Sequence, residues 1–192
     1  MFAALIRCSF SCCRLERNVA HAGKNCSLCN TREEGWMDTI MAAQENVVLA
    51  RSLFDLFNSR QSDPAWLEKS LAAFAADAES IDVPSGAILR GPDGHKRFSL
   101  FFAESFPDLR VELTDVFATE DRVALEGTWR WNDTGPLPLS ASALPATGHS
   151  CELRCCLVLQ IRNGKIVRLH SYYDMLTQME QLGLVPATGQ AT

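Results

Sequence analysis

The chain has 192 residues, of which 47% are hydrophobic and 21% charged, and its net charge is −5. That length holds one ordinary globular domain with a short extension, and such a domain buries roughly 70% of its unfolded surface without a metal or disulfides. A mean hydropathy of −0.03 excludes a disordered chain; no apolar run reaches the ~20 residues that span a bilayer, and the acidic balance excludes a protein that grips nucleic acid by charge.

Residues 1–36 differ from the rest. They hold five of the eight cysteines (Cys8, Cys12, Cys13, Cys26 and Cys29), and five basic against three acidic side chains, where the remainder has thirteen against twenty. Arg7 ends the apolar start before a secretory core of ~7–15 residues can form. Cys26 and Cys29 with Cys12, Cys13 or His21 could hold zinc, but the second pair lacks the usual close spacing. The expectation is therefore a Cys-rich disordered extension over 1–36, a domain over 37–186 and a tail over 187–192. Without an export signal the thiols are expected to be reduced and the protein cytoplasmic.

Residues 38–60 predict a long amphipathic helix, with Val47, Ala50, Phe54 and Phe57 on one face. Asp63-Pro64 supplies an N-cap and a first-turn proline, and Leu67, Leu71 and Phe74 continue at helical spacing to about Ala76. Glu79 to Val83 is a short strand candidate stopped by Pro84-Ser-Gly86. Gly91-Pro92-Asp93-Gly94 reads as a turn, followed by a third helix with Phe98, Phe101 and Phe102 inward.

After Pro107 the period changes to two. Leu109, Val111 and Leu113 alternate with polar residues, as do Val123, Leu125, Gly127, Trp129 and Trp131. From Cys151 the same holds for Leu153, Cys155, Leu157, Leu159 and Ile161. Asn163-Gly164 is a type I′ hairpin signal, Lys165 to Tyr173 a last strand, and Leu176 to Leu182 a short terminal helix or tail. Three helices and then four antiparallel strands predict an α+β fold, with helices on one face of a curved sheet and a concave small-molecule pocket between them. The proline-rich connection from Asn132 to His149 is either a lid over that pocket or a plain surface insertion. No phosphate-binding glycine loop is present, so a nucleotide cofactor has no cradle.

His95, His149 and His170 are too scattered for a metal site, and no Gly-x-Ser-x-Gly elbow exists. Arg168-Leu-His170-Ser-Tyr172-Tyr-Asp174 is more informative. On a strand His170, Tyr172 and Asp174 share one face, which would place an imidazole, a phenol and a carboxyl in one small volume. A carboxyl sheltered there would have a raised pKa suited to proton exchange. Against this, Asp174 could simply cap the following helix. Val167, Leu169 and Tyr173 form the more apolar set, so if the sheet has no bulge there His170 and Tyr172 could instead face solvent or a subunit interface. Trp129 and Trp131 are either core filler or ligand-stacking walls.

Phe106-Pro-Asp108, Pro145-Ala-Thr-Gly148, Arg162-Asn-Gly-Lys-Ile-Val167, His170-Ser-Tyr-Tyr-Asp174 and Gln181-Leu-Gly-Leu184, in that order, resemble the SnoaL-like polyketide cyclase (ester cyclase) family of the nuclear transport factor 2-like superfamily. The resemblance covers about 44–186. It implies a cone-shaped barrel with a deep apolar pocket, a homodimer or homotetramer, and aldol ring closure without metal or organic cofactor. It also implies that Asp174, near the end of the last strand, is the general acid/base. Tyr172 and His170 would then be enolate donors, and Trp129, Trp131, Phe101 and Phe102 pocket walls. One departure stands out: relatives carry Gly-Thr-His where this chain has Gly127-Thr128-Trp129, so a histidine partner for the acid has no obvious place. The resulting expectation is a domain that binds a hydrophobic, carbonyl-bearing small molecule and performs cofactor-free acid/base chemistry on it. A non-catalytic binding or dimerisation module of the same fold is the alternative.

Overall fold

The computed structural model describes residues 27–135 and 145–186, with side chains from Trp36 onward. The chain divides into two units at Gly35 and Trp36. The first contributes only the helical backbone of 27–35, and the sheet with its covering helices belongs to the second. The zinc alternative, the core of the proline-rich connection and the tail therefore lie outside the described side chains.

Helix α1 (Ser27–Asn58) starts well before the expected residue 38. It turns Leu53 and Phe54 into the core and is pinned to the sheet by polar side chains. The Asn46 amide donates to the Thr119 and Glu120 carbonyls at 3.1 and 2.9 Å. Asn58 exchanges two hydrogen bonds with the Val111 backbone, at 2.8 and 2.9 Å. Arg60, stacked 4.4 Å over Phe57, donates to the carbonyls of Phe106, Pro107 and Leu109.

The second helix is shorter than its spacing suggests. Helix α2 ends at Leu71 (Trp66–Leu71), and Phe74 already belongs to strand β1 (Phe74–Asp82). Tertiary pairing overrides the local helical pattern of this Ala-rich stretch. β1 lies parallel to the last strand, β6 (Lys165–Tyr173), on one side and antiparallel to β2 (Ala87–Arg90) on the other. Helix α3 (Gly91–Ser105) absorbs the expected turn as its first turn, because Pro92 at the helix start has no N–H to lose.

Strands β3 (Arg110–Ala118), β4 (Arg122–Asn132) and β5 (Ser150–Arg162) form the expected antiparallel meander, and α4 (Met175–Gln181) closes the domain. The fold is α+β as expected, with a curved sheet in the order β2-β1-β6-β5-β4-β3. Two features differ. One strand pair is parallel, and the outermost strands do not meet, so the sheet is open rather than a closed barrel. The inward set Val123, Leu125, Trp129, Trp131, Leu153, Cys155, Leu157, Leu159 and Ile161 is buried, as the alternation requires. Asn163 and Gly164 both take positive φ, which the type I′ turn between β5 and β6 demands.

Three register shifts shape the sheet, one of them between Phe74 and Glu79 where β1 pairs with β6. In β3 one lies between Leu113 and Asp115. In β6, Ile161 pairs with Ile166 while Gln160 pairs with Arg168, leaving Val167 as an extra residue. An extra residue on one strand reverses the face of everything beyond it. Ile166 is buried, and past the bulge Leu169, Ser171 and Tyr173, not His170 and Tyr172, turn toward the helices.

Candidate active site

The expected trio does not converge: Tyr172 and Asp174 border one open groove with Glu126, Thr128 and Arg154, and His170 is not on it. Past the Val167 bulge, His170 and Tyr172 lie on the sheet face away from the helices, where His170 Nδ1 is 3.0 Å from the Tyr172 hydroxyl and Tyr172 is 40% exposed. Burial, then the charges of Arg168 and Arg122, hold the His170 imidazole below its usual pKa. Asp174 is exposed and caps α4. Its Oδ1 accepts from the Leu176 and Thr177 N–H groups at 3.0 and 3.2 Å, and its Oδ2 from the Thr177 hydroxyl at 2.7 Å. The Thr177 hydroxyl, followed by the backbone donors, lowers the carboxyl pKa rather than raising it. The shelter expected for this acid is absent, because the chain leaves the sheet at Tyr173 and position 174 becomes a helix cap in water.

Of the expected walls, Phe101 and Phe102 on α3 and Trp129 on β4 do border the space between helices and sheet. Trp131 does not. It is buried against Phe106, ring centroids 5.0 Å apart, and borders a separate groove with Asp108 and Arg130.

The space holds two cavities, an outer and an inner lobe, and Phe98 and Phe102 border both. The outer lobe, a cavity of about 360 Å³, lies between the β1–β2 connection, α3, the end of β6 and α4. Its walls are mostly apolar, including Leu89, Phe101, Met175 and Met179, with Asp82, Ser85, Arg97, Gln178 and Tyr173 as polar exceptions. Asp82 is 8% exposed. The Ser85 hydroxyl donates to its Oδ2, as does the Tyr173 hydroxyl at 3.3 Å. Asp82 Oδ1 is buried and has no hydrogen-bond partner among the described residues. Buried polar atoms are normally satisfied, so an orphan oxygen on a carboxylate that borders a cavity points to function. Burial, and next the charge of Asp82, push the Tyr173 phenol far above its usual pKa, so it stays a donor.

The inner lobe, a cavity of about 80 Å³, runs toward α1 and α2. His95, 6% exposed, stands on its wall and stacks on Phe74 with centroids 3.6 Å apart. Its Nε2 is 3.4 Å from the Ser70 hydroxyl and 3.3 Å from that of Ser99; its Nδ1 is 3.4 Å from Ser80. Burial pushes the imidazole pKa down to about 4, so it is neutral near pH 7. The Cys155 thiol is likewise pushed up to about 12 by burial, which keeps it protonated and inert. Among the described residues no group of three or more His, Cys, Asp or Glu side chains is placed to hold a metal ion.

The sequence pattern passes over Asp82 and His95. Asp82 ends a stretch, Ala78, Ser80 and Asp82, whose period-two spacing carries almost no hydrophobic signal. His95 directly follows the Gly91–Gly94 turn signal, which masks it, yet His95, Phe98, Ser99 and Phe102 recur at i, i+3, i+4 and i+7, which is a helix face.

The model of the SnoaL-like polyketide cyclase family matches residues 48–182. No curated protein matches the chain. Similar solved structures include a protein described as a SnoaL-like polyketide cyclase from Jannaschia sp. CCS1, at 20% identity and a TM-score of 0.66 over 75% of this chain and 95% of that one. AclR of Streptomyces galilaeus, described as a hydroxylase, is 20% identical with a TM-score of 0.62 over 77% and 87%. A protein with the ketosteroid isomerase-like fold from Catenulispora acidiphila is 17% identical with a TM-score of 0.56 over 70% and 92%. At these identities the structures establish the fold and leave the chemistry to the site. With the family model covering every element from within α1 to α4, the chain belongs to the SnoaL-like polyketide cyclase family.

Proposed function

We propose that the domain takes a hydrophobic, carbonyl-bearing small molecule into the two-lobed space and moves a proton alpha to its carbonyl, without a cofactor. Asp82 is the base. Its carboxylate removes the α-proton, the C–H electron pair passes into the enolate, and the Tyr173 and Ser85 hydroxyls hold the other carboxylate oxygen in place. Arg97 and Gln178, in the same lobe, are the donors for the enolate oxygen. If the enolate carbon attacks a second carbonyl of the same molecule, a ring closes and Asp82 returns its proton to the new alkoxide; if the proton returns to another carbon, the result is an isomerisation.

One observation carries this reading: a buried carboxylate with an unpartnered oxygen borders a mostly apolar hollow. It moves the acid/base role from Asp174, with Tyr172 and His170, to Asp82 with Tyr173. A hydrophobic ligand, a cytoplasmic location and a homodimer or homotetramer remain parts of the same proposal; exposed Phe117 and Ile88 are side chains that an assembly would cover. No described helix is long and apolar enough to cross a membrane.

The alternative, a binding module without catalysis, draws support from the solvated, paired state of Asp174. Hydrogen–deuterium exchange at the α-carbon of β-tetralone, followed by NMR, separates the readings. Wild type should exceed the buffer rate, Asp82→Asn should return to it with an unchanged melting curve, and Asp174→Asn should stay active. Loss in Asp174→Asn alone restores the role to Asp174. Binding without exchange in wild type leaves the module.

A further inference from the structure

The inner lobe has walls of Leu53, Phe54, Phe57, Trp66, Leu109 and Leu157, and into them the chain sets one imidazole and two hydroxyls. A polar cluster this deep is costly unless its hydrogen-bonding capacity is used. Counting that capacity exposes a surplus. A neutral imidazole has one N–H and one lone pair, each directed along a single in-plane axis. Ser80 alone approaches Nδ1, whereas Ser70 and Ser99 both approach Nε2. Nε2 fully engages only one of them. Neither hydroxyl has another side-chain hydrogen bond among the described residues, and both border the lobe. All three distances, 3.3–3.4 Å, are also longer than the usual ~2.7–3.2 Å. The cluster is assembled but not saturated.

We propose that His95, Ser70 and Ser99 form a recognition subsite for a neutral oxygen at the inner end of the ligand, a phenol hydroxyl or a ketone. No charged side chain borders the inner lobe, so a carboxylate or ammonium there would lose its hydration with nothing to offset it. Ser80, which holds His95, and Asp82 of the outer lobe occupy successive inward positions of β1, about 7 Å apart along the strand. Phe98 and Phe102 border both lobes, so two aromatic side chains stand between the two polar ends. A ligand that engages both lobes would carry an oxygen function at each end of an apolar body that packs on Phe98 and Phe102. Only the outer half of this inference rests on the proton-transfer role of Asp82.

The test compares β-tetralone with the β-tetralone that carries a hydroxyl on the far edge of its aromatic ring, titrated into the protein by calorimetry. Wild type is expected to prefer the hydroxylated ketone by roughly tenfold, the worth of one buried hydrogen bond. The preference should shrink to within about threefold in Ser99→Ala, a mild truncation, and in His95→Phe, which keeps the stacking on Phe74. It should persist in Asp82→Asn. Equal affinity of wild type for the two ketones, or a preference unchanged in both subsite variants, overturns the subsite. A preserved preference with no α-proton exchange overturns only the catalytic proposal, and intact exchange with no preference overturns only this one.

Discussion

The Tyr173 hydroxyl on β6 donates to the Asp82 carboxylate on β1 at 3.3 Å. The contact spans the sheet's parallel pair, in which Asp82 lies opposite Ser171. It depends on the Val167 bulge, which turns Tyr173 inward, and on β1 reaching far enough to bring Asp82 beside it. In this pair the phenol positions the carboxylate, and the burial of both gives their hydrogen bond more weight than it would have in water.

Tyr173→Phe tests the pair. With the volume kept and one donor lost, the α-proton exchange rate should fall about tenfold to a hundredfold with little change in ligand affinity. Since the phenol is held protonated, the wild-type rate should show no loss assignable to Tyr173 up to its ordinary pKa of about 10. A variant as fast as wild type would remove Tyr173 from the site.

Asp174→Ala should act on stability alone. The substitution strips three hydrogen bonds from the start of α4 and should lower the melting temperature by a few degrees, while exchange at saturating ketone persists. Asp174→Asn, which can still cap, should recover most of the loss. A collapse of exchange in either variant at a temperature where it is folded would contradict the assignment to Asp82.

His95 makes stability pH-dependent with a definite sign. Its folded pKa of about 4 lies below the unfolded value of about 6.5. Between these values the unfolded chain binds a proton that the folded chain refuses, so stability falls as pH falls through that window. The full loss is at most about 3 kcal/mol, with no His95 contribution to the slope above the window or below it. Urea midpoints should fall less steeply from pH 7 through 5.5 to 4.5 for His95→Phe than for wild type; parallel curves would show that His95 is not held neutral.

Gly135 is a packing requirement where the proline-rich connection leaves β4. A Cβ there would overlap the Ser105 carbonyl oxygen and lie 2.8 Å from that of Glu104, both backbone atoms at the end of α3. Gly135→Ala should therefore cost about 2–3 kcal/mol, read as a lower urea midpoint. The neighbouring Asp133, fully buried, clamps the far end of the same connection through the Thr147 N–H and hydroxyl, both at 2.7 Å. A neutral result would mean that the segment moves freely away from α3.

The α+β class, the three-strand meander of β3 to β5 and the Asn163-Gly164 turn follow from local pattern, because period-two alternation and positive φ are properties of neighbouring residues. The aromatic wall on α3 is legible for the same reason. What local pattern cannot decide is phase. Val167 is an ordinary strand residue until β5 and β1 pair around it, and the bulge then reverses His170, Tyr172 and Tyr173. Nor can it choose between two acids that each precede a turn or helix. Asp174 is legible as a cap and is one, whereas Asp82 acquires its place only when α3, α4 and β6 enclose it. Residue type and spacing set which elements form and which faces are greasy. Which side chains share the enclosed space is set by register and long-range packing, whose energies come from partners distant in sequence.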